Sequence, residues 1–170
     1  MTIKFLTTDT KKKYMDDFNN NVLTCKDSYW GIDSGLKEIL ININQNKNVQ
    51  TLYSKKYKGY PSVGTHPIKG TSENCSYLYI AFSEEITQLK IERIKQNMTS
   101  CFGDGFFMAV SQKQEINTNE LEPCEGGNKM SFFLDKSYFD VANICFTFES
   151  NNKYAHNYFW SELNRQLSNF

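Results

Sequence analysis

Arginine is nearly absent from this chain. Seventeen of its nineteen basic residues are lysine, and only Arg93 and Arg165 carry the planar guanidinium that grips carboxylate, phosphate or guanine through two parallel hydrogen bonds. Charge of one sign is also missing, since nineteen acidic residues balance the nineteen basic ones. A basic patch or stripe is the usual footprint of nucleic-acid binding, so direct recognition of nucleic acid is not expected. No apolar run comes near the roughly 18–20 residues that a membrane-spanning helix needs. The opening MTIKFLTTDTKKK places a short apolar touch ahead of its lysines, the reverse of a secretory signal. Neither export nor a membrane anchor is expected, and the cytoplasm is the expected location.

Ligating and catalytic motifs are equally scarce. Two histidines, His66 and His156, cannot fill a three-histidine metal site, and neither H-x-x-x-H nor C-x-x-C occurs. No metal or other cofactor is expected. The five cysteines (25, 75, 101, 124 and 145) are widely spaced and odd in number, which favours free thiols in a reducing compartment over a disulfide framework. G-x-S-x-G, G-x-G-x-x-G and the P-loop pattern are absent, so hydrolase, dinucleotide and nucleotide readings have no anchor.

Aromatic residues are plentiful: thirteen Phe, ten Tyr and two Trp supply enough apolar surface for a proper core, which excludes disorder. The abundance of Lys, Asn, Ile, Phe and Tyr matches A/T-rich codons, so an individual Lys or Asn carries little meaning. Periodicity predicts a short opening strand at Ile3 to Leu6 and a helix capped by Thr10, with Tyr14, Phe18 and Val22 along one side. After a Trp30-Gly31 turn, Ser34 caps a second helix bearing Leu36, Ile39, Leu40 and Ile43. Val49 to Tyr53 reads as a strand. Cys75 to Phe82 is apolar on both alternating faces and reads as a central strand covered on both sides.

Ser83, followed by Glu84 and Glu85, is the expected cap of a third helix with Ile91, Ile94 and Met98 on its inner stripe. Beyond the Gly103-Asp104-Gly105 turn, Phe106 to Val110 reads as a buried strand and Met130 to Leu134 as another. Asn143 to Phe148 alternates, with Ile144, Phe146 and Phe148 inward and Asn143, Cys145 and Thr147 outward. A last helix is expected from Asn152 to Leu167. The sum is a single α+β domain over residues 1–170, with a mixed, mainly antiparallel central sheet packed against about four helices.

Two polar stretches interrupt this order. Ser54 to Asn74 holds three glycines and two of the three prolines, together with Tyr57, Tyr60 and His66, and reads as a long loop. The second, 111–128, carries Glu115, Glu120, Glu122 and Glu125 with no base between the first and the last. Clustered carboxylates of this kind suit a docking surface for a basic partner, and loop tyrosines are common at interfaces. Glu115, Glu120, Glu122, Glu125, Tyr57, Tyr60 and His66 are therefore the candidate partner-binding residues. On the last helix His156 falls on the apolar stripe with Phe159, Leu163 and Leu167, where a structural histidine is expected rather than a catalytic one.

In general character the chain resembles the immunity proteins of bacterial contact-dependent and polymorphic toxin systems, which are small, single-domain, often A/T-rich in coding and free of catalytic motifs. The resemblance implies a cytoplasmic, non-enzymatic protein whose partner is a cognate protein toxin, such as a nuclease domain. Its mechanism would be steric blockade of the toxin's active or substrate-binding site. Immunity proteins against nucleases are often acidic overall, so complementarity in this neutral chain would have to be local, at Glu115 to Glu125. The alternative expectation is a small transferase or hydrolase using His66 with Cys101 or Asp104.

Overall fold

A computed structural model describes residues 4–26, 32–33, 35–57, 74–111 and 141–170. Four helices are described: α1 (Thr8–Asp17), α2 (Lys37–Asn44), α3 (Gln88–Phe102) and α4 (Lys153–Ser168). Four strands, β1 (Val49–Lys55), β2 (Cys75–Phe82), β3 (Phe106–Ser111) and β4 (Asn143–Glu149), form one sheet in the order β1-β2-β4-β3. Every pairing in it is antiparallel, giving an α+β fold.

All eight residues of β2 are buried, as a central strand covered on both faces requires. Its even face, Leu78, Ile80 and Phe82, joins Ile144, Phe146 and Phe148 of β4 beneath Leu40 and Ile43 of α2, Ile91, Ile94 and Met98 of α3, and Phe159, Trp160, Leu163 and Leu167 of α4. The odd face, Cys75, Tyr77, Tyr79 and Ala81, packs with Leu6, Tyr14, Leu52, Tyr53 and Val141 in a second cluster. Asn143 is therefore 1% exposed rather than turned to solvent, and Cys145 and Thr147 are half-buried. A strand with a layer on each side has no outward face, so alternation marks two cores rather than core and water.

Helix starts differ from expectation by a few residues, because the cap is the residue whose backbone is extended and whose oxygen reaches the first free N–H groups. Thr7 caps α1 and accepts from Thr10 N–H. Thr87, not Ser83, caps α3 and accepts from Lys90 N–H, while the Ser83 hydroxyl donates to Asn48 Oδ1. Asn152 caps α4 through Tyr154 and Ala155 N–H. Helix α1 passes into a π-helical turn, Phe18–Val22, so the Tyr14, Phe18, Val22 row follows the chain through a change of pitch. Strand β1 runs on to Lys55, two residues into the stretch expected to be loop, because Ser54 and Lys55 pair with Leu78 and Tyr77.

Residues 4–7 do not form a strand of their own. Leu6 N–H donates to Phe82 O and Ala142 N–H to Lys4 O, wedging the chain between the ends of β2 and β4. At the other end of the sheet, Gly105 lies so close to β4 that a Cβ there would stand 2.8 Å from Glu149 O, which only glycine avoids. The expected Ile3 strand start, the Trp30-Gly31 turn, the Ser34 cap and the Met130 to Leu134 strand lie outside the described residues, as does most of the two polar stretches.

Candidate functional site

The one inward polar residue on the even face of β2 is Ser76, opposite Phe148 in the ladder. Helix α4 delivers His156 to it. Ser76 and His156 are both 0% exposed, and Ser76 Oγ lies 2.7 Å from His156 Nδ1. The other ring nitrogen, Nε2, is 2.7 Å from Ser150 O in the turn between β4 and α4. A carbonyl can only accept, so Nε2 carries the proton and donates it; Nδ1 is then bare and takes the Ser76 hydroxyl proton. Ser76 Oγ in turn accepts from Tyr57 N–H at 3.0 Å.

Aromatic rings close the pocket. Phe148 stacks on the imidazole at 4.9 Å between centroids and Tyr57 approaches at 4.7 Å. Burial, with the charges of Lys55 and Lys56, pushes His156 below its ordinary pKa, while hydrogen bonding at the Ser150 and Asn74 backbone pulls the other way. A serine hydroxyl donating to a histidine nitrogen is also the pairing of a nucleophile and its base. Here no surface of either group reaches solvent, so the pair fastens β2, α4 and the chain leaving β1 to one another.

Cys101 is elsewhere, exposed near the end of α3. Hydrogen bonding to Cys101 pushes the Tyr158 phenol above its usual range, and Glu162, held below its usual range by the hydrogen bond from Arg165, stands nearby. With both nitrogens of His156 engaged by Ser76 and Ser150, that ring is not the base of a Cys101 dyad. Asp104 is exposed in a 3-10 turn, as its place between two glycines suggests. Tyr57, a candidate partner-binding residue, is buried against His156. Tyr60, His66, Glu115, Glu120, Glu122, Glu125 and Cys124 lie outside the described residues.

The largest departure from the expected burial is β3. The expected buried strand is at the sheet's edge, paired with β4 alone among the described strands. Phe106 is buried, but Phe107 is 57% and Val110 49% exposed, and Ala109 is exposed beside them. Their apolar character says nothing about edge or centre, which is why sequence reasoning missed them. Ser76 was detectable as the lone polar residue on an otherwise apolar stripe. Tyr154 and Tyr158 on α4 and Leu89 on α3 are the other large apolar side chains in solvent among the described residues.

Among the described residues no group of three or more His, Cys, Asp or Glu could hold a metal ion, and no helix is long and apolar enough to cross a membrane. The four described cysteines are free thiols. No family model, curated protein sequence or solved structure matches the chain.

Proposed function

We propose that this chain is a cytoplasmic immunity protein that neutralises a cognate protein toxin by covering its active or substrate-binding site, without catalysis of its own. The observation that carries the reading is the apolar surface of β3. Phe107 and Val110 stand in solvent on opposite faces of that strand, and in the sequence Glu115 comes shortly after its last residue, Ser111. Exposed aromatic and aliphatic anchors close in sequence to clustered carboxylates fit a two-part docking surface around the outer strand, in which the anchors hold the complex and the charges speed encounter. The internal engagement of His156 is a second support, because it removes one of only two imidazoles from surface chemistry.

The test is protection. The chain is co-expressed with the toxic domain of the large secreted protein encoded nearest its gene, and host growth and complex formation by gel filtration are followed. Rescue of growth by the wild type, lost in a Phe107→Asp, Val110→Asp double variant that still folds, is the expected result. Rescue abolished by His66→Ala or Cys101→Ala, with the complex intact, would instead favour the small enzyme.

A further inference from the structure

His156 ties together parts of the chain that are distant in sequence, and the tie depends on its protonation. Ser76 Oγ has one proton and two lone pairs. With neutral imidazole its proton goes to Nδ1 and one lone pair takes Tyr57 N–H, so hydroxyl, amide and both ring nitrogens are all satisfied. We propose that this contact is an acid-opened latch: protonation of Nδ1 turns the acceptor of the Ser76 hydroxyl into a donor, and Tyr57 is released from β2 and α4.

The physical reason is that the site has no second arrangement as good as the first. A protonated Nδ1 can only donate, to Ser76 Oγ or to the Asn74 carbonyl, and either way the serine proton loses its acceptor in a site closed to water. Among the described residues no packed element brings the new charge a counter-ion. The chain leaving β1 offers Lys55 and Lys56, both cations, and Asp33 beside it accepts Lys56 N–H. Strand β2 contributes uncharged Ser76. Glu149 at the end of β4 and Lys153 at the start of α4 are exposed, and Glu162, two turns along α4, is bonded to Arg165. Phe148 stacks on the ring and Tyr57 lies tilted against it, and neither carries a negative charge to balance the imidazolium. Swinging Tyr57 outward admits water to the ring and relieves all of these at once.

The closed form therefore holds the imidazole below the value near 6.5 that a solvent-exposed ring has. Opening grows as pH falls below about 6.5, by up to about tenfold per unit, and levels off below the pKa of the closed form. The measurement is amide hydrogen exchange of Tyr57 in the full chain from pH 7.5 to 5, corrected for intrinsic rates, with Ile80 and Ile144 of the central strands as references. The His156 ring proton is followed by NMR over the same range. The His66→Gln variant, which keeps His156 as the one histidine, assigns it.

Expected is a several-fold loss of Tyr57 protection per pH unit that begins near pH 6.5 and levels off where the His156 ring titrates, while the reference amides hold, and its absence in His156→Gln. If His156→Gln does not fold, the levelling of wild-type Tyr57 protection at the pH where His156 titrates decides. Protection of Tyr57 that stays flat to pH 5, that goes on falling after His156 has titrated, or that falls together with Ile80 and Ile144 overturns the latch.

Discussion

The two outer strands of the described sheet meet their surroundings differently. On β1, side chains take up the Thr51 N–H and the Val49 carbonyl. Asn44 Oδ1 accepts Thr51 N–H at 2.8 Å, its amide donates to Thr51 Oγ1, and the Lys11 ammonium donates to Val49 O and Asn44 O. On β3, by contrast, Phe107 and Val110 project into solvent. An edge strand is a ready template for pairing with another chain, and proteins usually blunt it with charge, bulges or cover. The β1 edge has all three in some measure, since a bulge between Thr51 and Tyr53 adds twist to the lysine and asparagine caps. The difference teaches that the molecule closes one edge with polar side chains and presents apolar ones at the other.

That contrast can be measured against the sheet's centre. Phe146 is 0% exposed in the main core, and Phe146→Ala should cost about 3–5 kcal/mol in chemical denaturation. A cost below about 1 kcal/mol would mean that β4 is not central. Next comes the sealed edge. Asn44→Ala strands the buried Thr51 N–H and hydroxyl and should cost about 2–3 kcal/mol. The result that breaks the comparison is an Asn44→Ala protein as stable as the wild type.

A third effect reads the same edge through pH. Burial lowers the Lys11 pKa from 10.5 to about 8. Between those two values the unfolded chain binds more protons than the folded one, so stability rises as pH is raised from about 8 to 10.5 and is flat on either side. Melting temperatures across this range should show the rise in the wild type and a flatter profile in Lys11→Met. A profile of equal slope in both would take Lys11 out of the account.

The smallest effects on stability belong to the other edge. Phe107→Ser and Val110→Thr should each stay within about 0.5 kcal/mol, as exposed substitutions usually do, while weakening binding to the partner by tenfold or more if they are its anchors. Reversing Glu115, Glu120, Glu122 and Glu125 to Lys should leave the melting temperature nearly unchanged. It should also slow association with a basic partner and reduce the salt dependence of the on-rate. On-rates unaltered across a salt series would remove the acidic stretch from the interface, leaving β3 to act alone.

Elements whose apolar spacing agrees with their local caps were legible in the sequence. Cys75–Phe82 stands as read, and α4 starts at Lys153 directly after its Asn152 cap. The inner stripe of Ile91, Ile94 and Met98 is buried as expected. The start of α3 was misread because Ser83-Glu84-Glu85 carries the same cap-and-acid signal as a helix N-terminus, and only the contact with Asn48 diverts Ser83 to another partner. The site was half legible. His156 could be placed on an apolar stripe, but its partner is eighty residues away on another element, and no local pattern encodes that distance.

What the sequence alone determined is the α+β character, the buried central strand and the burial of His156, because each follows from periodicity within a few turns of chain. Tertiary structure alone decided that β3 is an outer strand of the described sheet, that Asn143 is inside, and that Tyr57 packs on His156 instead of facing solvent. The physical reason is the same in each case. Apolar spacing states that a side chain wants cover or that a strand has two faces, but which neighbour supplies the cover depends on strand order. Strand order, in turn, is chosen by contacts between residues far apart in the chain.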